Sequence, residues 1–219
     1  MMRTAIELKT HDLGNGLLFY EGRLPDDLIW NPPMFQKVWD QHPKEKHLIM
    51  MHGHLVETPR WQQAHGADYH YTGRVNKALP IPPELEPLNT WVKEAIYPRL
   101  NGILINYYES SGHYIGPHRD STKNMVEGAP IVTVSFGETR MFRMTLFKHV
   151  IVEGKKNRAV DRQIDFPATN GTVFVEPYAT NKVWYHSVPK KASYTGRRIS
   201  VTFRAFDVKE ANGALAETA

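Results

Sequence analysis

Apolar and polar residues follow two different periods along the chain, and the change comes near residue 100. Before it, apolar positions recur every three to four residues in 33–42 and 83–100, which predicts two amphipathic helices. Asn31 stands where the cap of the first helix belongs, with prolines directly after it. Shorter runs predict strands at 16–20, 46–51 and 68–73.

After residue 101 the pattern is mostly that of β-structure. Short apolar runs, some alternating with polar residues, are separated by turn signals such as Gly137-Glu138 and Asn170-Gly171. The predicted strands are 103–108, 115–118, 131–136, 140–147, 150–153, 163–165, 172–176, 182–186 and 197–206. Many short strands after two helices predict a mainly β (α+β) fold, a double-sheet jelly roll with helices packed on one sheet.

The organisation that follows is one domain, 1–219. An N-terminal α/β section, 1–100, is expected to wrap onto a β core, 101–207, and 208–219 reads as a flexible tail. No apolar run approaches the roughly 20 residues that span a bilayer, and the first residues lack the apolar region of a signal peptide. We therefore expect no membrane association and a cytoplasmic location, with the nucleus open for a eukaryotic source.

Composition narrows the possible chemistry. The chain has no cysteine, which excludes disulfides, thiolate zinc sites and cysteine nucleophiles. Eleven histidines leave many candidate metal ligands. The net charge of +4 and the pI of about 9.2 favour a polyanionic partner such as nucleic acid, but they are equally typical of a basic soluble enzyme.

The clearest candidate metal motif is His118-Arg119-Asp120. Residues i and i+2 of a strand point to the same face, so His118 and Asp120 can reach one metal. A third ligand is available in a later strand, at His186. Two histidines and one carboxylate form the facial triad of non-heme iron oxygenases, which leaves positions open for a 2-oxo acid and dioxygen. A zinc hydrolase with the same ligands is the rival, and His-x-Asp also occurs by chance.

Two arginines at the end of the β section favour the iron interpretation. Arg198 and Arg204 are six residues apart, so a strand puts both on one face, together with Ser200 and Thr202. Inward guanidinium groups are costly unless an anion meets them, and a dicarboxylate such as 2-oxoglutarate pairs well with arginine. The alternative is that this face of the strand is solvated.

A strand that leads toward His118 adds two polar candidates. Asn106 and Tyr108 share one of its faces and are able to hydrogen-bond the same ligand. Each of them, taken singly, is equally well explained as a structural residue.

Together these blocks resemble the AlkB-like dioxygenases. The resemblance runs, in the order of the family, through 104–108, 115–120, 131–137, 184–189 and 198–204, within about half of the chain. Any one block alone has little specificity, but the triad, the Asn-x-Tyr strand and the arginine-spaced strand together are highly specific.

The resemblance implies a double-stranded β-helix core covered by a nucleotide-recognition lid from the N-terminal section. It implies that Fe(II) is held by His118, Asp120 and His186. It implies that 2-oxoglutarate is bound by five residues: Asn106, Tyr108, Arg198, Thr202 and Arg204. With dioxygen as co-substrate, the implied reaction hydroxylates an N-methyl group of a flipped nucleic-acid base, which is then lost as formaldehyde, while 2-oxoglutarate becomes succinate and carbon dioxide.

The lid is most similar to that of the nuclear-type DNA repair demethylases. The resemblance implies substrate contacts from three lid residues: Arg60, Tyr69 and Tyr71. Two positions depart from these relatives. Thr122 stands where they have an acidic residue near the base edge, and His52 stands where they have an apolar wedge. The departure at Thr122 concerns readout of the base edge, and the departure at His52 favours single-stranded DNA or RNA over a duplex as the partner.

Two further features have both a functional and an ordinary interpretation. Basic residues cluster around a turn expected at 154–157: Lys148, Lys155, Lys156, Arg158 and Arg162. A hairpin with these residues suits a phosphate backbone, although such runs are more often a solvated face. Trp61 offers a stacking surface, but we expect it to pack in the core.

The leading functional hypothesis is therefore oxidative demethylation of methylated DNA or RNA by a monomeric enzyme. A 2-oxoglutarate-dependent hydroxylase of a small molecule or a protein side chain is the second hypothesis, motivated by Thr122 and His52. A non-enzymatic nucleic-acid binder is the third, and the intact triad and arginine pair argue against it.

Overall fold

The computed structural model describes residues 6–51, 53–71 and 74–207. The elements of the N-terminal section are β1 Lys9–Gly14, β2 Leu17–Arg23, α1 Pro32–Trp39, β3 Leu48–Met51, β4 His54–Glu57, β5 Trp61–His65, β6 Tyr69–Tyr71, β7 Arg74–Asn76 and α2 Glu86–Ala95. Those of the C-terminal section are β8 Gly102–Tyr108, β9 Ile115–His118, β10 Ile131–Gly137, β11 Arg140–Val152, β12 Lys155–Ala168, β13 Thr172–Glu176, α3 Tyr178–Asn181, β14 Tyr185–Val188 and β15 Arg198–Arg204.

Two antiparallel sheets form the body of the fold. The large sheet has the order β1-β2-β13-β10-β15-β8-β5, and the small sheet has the order β12-β11-β14-β9. Strands β8 to β15 contribute four strands to each sheet, which confirms the jelly-roll prediction. The hairpins β3–β4 and β6–β7 are separate two-stranded sheets.

The large sheet has one apolar face and one largely polar face. On β15, Ile199, Val201 and Phe203 pack in a buried cluster that includes Val38 of α1 and Trp91 of α2, as the alternation of that strand predicts. Residues from both halves of the chain build this cluster. The single-domain organisation stays a prediction.

The opposite face of the large sheet looks toward the small sheet. Aromatic residues fill one end of the space between the sheets: Phe19, Phe142, Phe166 and Phe174. On the other, apolar face, Trp61 is partly buried and packs against the cluster there, in contact with Trp39 and His42, in line with the expected core packing. The other end of the intersheet space is left for polar residues.

The strand boundaries were wrong in the hairpin of the small sheet. The runs 140–147 and 150–152 belong to one strand, β11, whereas residue 153 of the second predicted run is in the turn. The run 163–165 lies inside the much longer β12. The turn is Glu153-Gly154, with φ of 50° and 74°, the two-residue geometry that matches the twist of a hairpin. Exposed charged residues after Gly154 resemble a loop in the sequence, but they pair with β11 along its whole outer half.

Other boundaries differ for local reasons. The second predicted helix, 83–100, is only Glu86–Ala95, because a turn precedes it and Ile96 leaves the helical region with φ of −124°. Strand β14 starts three residues after the prediction of 182, because the turn that ends α3 occupies that stretch. Strands β1, β4, β5 and β7 were not predicted. Thr72, Gly73 and the tail 208–219 lie outside the described residues.

Helices long and apolar enough to cross a bilayer are absent from the described residues.

The N-terminus of α1 gives a stability prediction. The side chain of Asn31 accepts a hydrogen bond from the backbone N–H of Met34 at 3.0 Å, as expected for a cap. We expect Asn31→Ala to lower the free energy of unfolding by about 1 kcal/mol, measured by urea denaturation. Lys44→Ala, at an exposed loop position, should change it by less than about 0.5 kcal/mol; equal values for both variants would contradict the cap.

Candidate metal centre and its pocket

The sheet register brings the predicted metal ligands together. His118 of β9 and His186 of β14 are directly paired across the two strands. Asp120 follows the end of β9 by two residues, and one ligand atom from each of the three residues lies within 4.8 Å of the others. The motif spacing therefore places all three side chains at one point.

The ligand atoms have a consistent orientation. Nε2 of His118 and Nε2 of His186 lie 3.7 Å and 3.8 Å from Oδ1 of Asp120. The two imidazole rings meet edge to face with centroids 4.4 Å apart. Nδ1 of His118 lies 2.9 Å from the backbone oxygen of Gly116. Two Nε2 atoms and one carboxylate oxygen thus face one another, the donor set of a facial triad.

Three contacts hold Asp120. Arg204 donates from Nε to Oδ2 at 2.9 Å and also through a terminal nitrogen, and Tyr69 donates its hydroxyl to Oδ1 at 3.2 Å. The amide of Asn181 bonds both the backbone N–H and the backbone oxygen of Asp120. Because Arg204 occupies Oδ2, Oδ1 is the oxygen presented to the histidines. Sequence reasoning did not identify Asn181, whose short helix carries no motif.

Two of the three triad residues, His118 and Asp120, are held in the protonation state that a metal ligand needs. Burial, and then the neighbouring His186, lower the pKa of His118 to about 3, so its ring is neutral near pH 7, as a metal ligand must be. Burial opposes ionisation of Asp120, but Arg204 and the two histidines outweigh it and hold the pKa of this carboxyl below its usual range. Burial acts to lower the pKa of His186, yet the Glu176 carboxylate outweighs it and the pKa is raised.

Glu176 is a second residue that the sequence did not reveal. It ends β13, is 3% exposed, and places Oε2 at 3.0 Å from Nδ1 of His186. In the sequence it looks like the polar end of an apolar strand, and nothing indicates that it faces a histidine ten residues later.

Arg198 and Arg204 share the face that β15 turns to the small sheet, but their surroundings differ. Arg204 is ion-paired with Asp120. Arg198 is fully buried and donates from Nε to Ser135 at 2.9 Å, while its two terminal nitrogens lack a hydrogen-bond partner of good geometry among the described residues. Burial lowers the pKa of Arg198. A buried guanidinium with open N–H groups is suited to an incoming carboxylate.

Four of the five candidates for the 2-oxo acid line the pocket that holds the triad: Asn106, Tyr108, Thr202 and Arg204. Arg198 is outside this lining. Asn106 accepts a hydrogen bond from Nε of Arg60 at 2.7 Å, and the guanidinium of Arg198 lies 5.1 Å from the centre of the Tyr108 ring. The cavity that these residues line is narrow, with a volume of about 40 Å³.

The predicted substrate residues are distributed less uniformly. Arg60 and Tyr69 are buried and line the pocket. Tyr71 ends β6, where its backbone pairs with Arg74. Thr122 lies in a neighbouring open cleft with Arg119 and Lys182, and His52 lies outside the described residues. Among the three of these residues whose side chains the structure describes, Arg60 and Tyr69 line the pocket and Thr122 does not.

Comparison with known proteins adds independent information. Residues 25–204 match the model of the 2OG-Fe(II) oxygenase superfamily. The chain is 30% identical over 159 residues to the DNA oxidative demethylase ALKBH2 of Homo sapiens, covering 71% of this chain and 60% of that protein. It is 29% identical over 219 residues to the protein of the same name from Arabidopsis thaliana, covering 90% of this chain and 68% of that one.

A third relative has a different name. The alpha-ketoglutarate-dependent dioxygenase alkB homolog 3 of Rattus norvegicus is 29% identical over 122 residues, which cover 56% of this chain and 41% of that protein. For comparison, the match to human ALKBH2 spans about three fifths of the length of that protein. Among solved structures, "The structure of OsALKBH1" superposes with a TM-score of 0.49 at 14% identity, covering 90% of this chain and 100% of that chain.

Proposed function

We propose, since the chain belongs to the 2OG-Fe(II) oxygenase superfamily, that it is an Fe(II)- and 2-oxoglutarate-dependent dioxygenase that demethylates bases in nucleic acid. The observation that supports it best is a His-Asp-His triad in a pocket whose lining includes Tyr108, with the buried Arg198, whose terminal N–H groups are open among the described residues, next to that tyrosine. The names of the relatives, DNA oxidative demethylases among them, support the choice of nucleic acid as substrate.

The residues present fit both groups that the family implies. His118, Asp120 and His186 would hold iron, a donor set of imidazole and carboxylate that Fe(II) accepts. Arg198 would hold a carboxylate of 2-oxoglutarate, with Asn106, Tyr108, Thr202 and Arg204 around it. When bound, iron, 2-oxoglutarate and dioxygen together supply the oxidising power that hydroxylates a methyl C–H bond.

The chain's own residues supply placement. Arg204 and Tyr69 fix the Asp120 carboxylate from both oxygens, so its orientation does not depend on the substrate. Burial keeps His118 neutral, as its lowered pKa of about 3 indicates. Hydroxylation of an N-methyl group leaves an unstable hydroxymethyl amine, which releases formaldehyde without a further catalytic group. The protein therefore has to bring the methyl group to the metal, with its base out of the stack.

Two surfaces support a nucleic-acid partner. The β11–β12 hairpin exposes Lys155 and Lys156 next to its tip, a position suited to phosphate contacts. The β3–β4 hairpin exposes apolar residues, with Met50 at 52% and Leu55 at 53%, a surface suited to bases rather than phosphates. We favour single-stranded DNA or RNA, because a base that is already unpaired costs less to extrude. We also propose that the chain acts as a monomer.

A formaldehyde assay tests the proposal. With Fe(II), 2-oxoglutarate and an oligonucleotide that contains 1-methyladenine or 3-methylcytosine, we expect formaldehyde release that depends on the methyl group. The unmethylated oligonucleotide and the His118→Ala variant are the controls. Succinate formation that stays the same across methylated DNA and RNA panels would refute demethylation, and it would favour the hydroxylase of a small molecule or protein side chain.

A further inference from the structure

The two histidines of the triad differ at the ring nitrogen that faces away from Asp120. Nδ1 of His118 lies 2.9 Å from the neutral backbone oxygen of Gly116. Nδ1 of His186 lies 3.0 Å from the carboxylate of Glu176, in a bent contact. The two rings therefore have similar surroundings at Nε2 and different surroundings at Nδ1.

Glu176 is a carboxylate at a buried position, which lowers the stability of the folded protein. It ends β13 opposite Ile131 of β10, is 3% exposed, and its second oxygen, Oε1, has no hydrogen-bond partner among the described residues. A buried carboxylate with an unpartnered oxygen lowers the stability of the fold. Among the described residues, the salt-bridge partner of Glu176 is His186, so the reason for this carboxylate is to be sought at the metal centre.

We propose that Glu176 positions His186 and makes it the stronger of the two histidine ligands. A carboxylate at Nδ1 requires the proton to be on that nitrogen, which leaves the lone pair of Nε2 for the metal, and it raises the basicity of the ring. Phe142, stacked on His186 with an interplanar angle of 16°, restrains the plane of the ring, whereas Glu176 fixes its rotation and tautomer. This inference rests on the proposed iron site and is independent of the nucleic-acid substrate.

Metal affinity measured without turnover tests the role. We expect Glu176→Gln to weaken Co(II) binding to the apo-protein by about 10–100-fold and to change the d–d absorption spectrum of the bound Co(II). Glu176→Asp keeps the charge and should bind Co(II) more tightly than Glu176→Gln. Thermal unfolding of each apo-variant shows whether it is folded. Because no oligonucleotide is present, failure of demethylation leaves this result unaffected.

A matched control separates the role from the loss of any carboxylate. Asp165 makes a two-pronged ion pair with Arg143 at 2.6 Å and 2.7 Å on the small sheet. Asp165→Asn should leave both the Co(II) affinity and the spectrum as in the native protein. A Glu176→Gln variant that binds Co(II) within twofold of the native protein, with the native spectrum, would overturn the proposal.

A measurement on the native protein decides the case even if Glu176→Gln fails to fold. In the Zn(II)-loaded protein with ¹⁵N-labelled histidine, NMR should show His186 bound through Nε2, with its proton on Nδ1 protected from exchange. Ligation through Nδ1, or a proton on Nε2, would be incompatible with the role of Glu176.

Discussion

His118→Ala and Asp120→Ala are expected to abolish 2-oxoglutarate turnover, with succinate formation as the measurement. Each variant removes one of the three donors that meet within 4.8 Å. A metal contributes several kcal/mol to its reaction, so the expected loss is on the order of 10³-fold or more. Full turnover in His118→Ala would remove the iron assignment.

The two variants should differ in stability, which provides an internal control. Asp120→Ala leaves the guanidinium of Arg204 buried without its carboxylate, and breaking a buried pair in this way costs about 3–5 kcal/mol. His118→Ala leaves the Asp120–Arg204 pair intact. Turnover lost in both, with a large drop in the unfolding free energy only for Asp120→Ala, would show that the metal donors and not general stability carry the activity.

Arg198→Met is expected to have the second largest effect, on 2-oxoglutarate binding. The terminal nitrogens of Arg198 lack partners of good geometry within the described part of the chain, so we propose that they receive a carboxylate of the 2-oxo acid. Truncating one partner of a buried charge pair costs about 2–5 kcal/mol, which corresponds to a rise of roughly 30-fold or more in Kd for 2-oxoglutarate, measured by calorimetry on the Mn(II)-loaded protein.

Arg140 is the matched control for Arg198. It is equally buried, but its guanidinium donates to Glu138, to the backbone of His113 and to the backbone of Gly196. Arg140→Met should therefore destabilise the protein strongly, while Arg198→Met should destabilise the apo-protein less, because it loses one side-chain hydrogen bond, to Ser135, and removes the unmet N–H groups together with the charge. Unchanged 2-oxoglutarate affinity in Arg198→Met would contradict the role proposed for Arg198.

The sequence predicted those parts of the fold and site in which a regular period fixes the direction of the side chains. The alternation of β15 separated Ile199, Val201 and Phe203 from the polar face. The two arginines on that polar face predicted a binding site for a 2-oxo acid. His118 and Asp120 were recognisable because both lie in one short motif. Their roles as ligands stay predictions, but their convergence with His186 is a feature of the structure.

What the sequence did not predict depends on contacts between distant strands. Glu176 contacts His186, and Asn181 hydrogen-bonds Asp120, in each case from a different element of the fold. No local pattern marks either residue. Strand β5 was missed because Gln62 and Gln63 give it a polar sequence, although Gln62 is buried opposite Asn106. The burial of such polar residues depends on their hydrogen-bond partners, and hydrophobic periodicity carries no information about those partners.

The long hairpin also has a consequence for the behaviour of the protein in concentrated solution. Among the residues that the structure describes, β14 pairs with β11 at Arg143, Met144 and Thr145 alone. The outer half of β11 therefore has open backbone groups on that side within this part of the chain, and Ile151 there is 70% exposed. Open edges with apolar side chains invite pairing between copies, which lysines oppose by charge repulsion. Neutralising Lys155 or Lys156 would therefore promote self-association, and a loss of nucleic-acid binding in such variants has to be separated from aggregation.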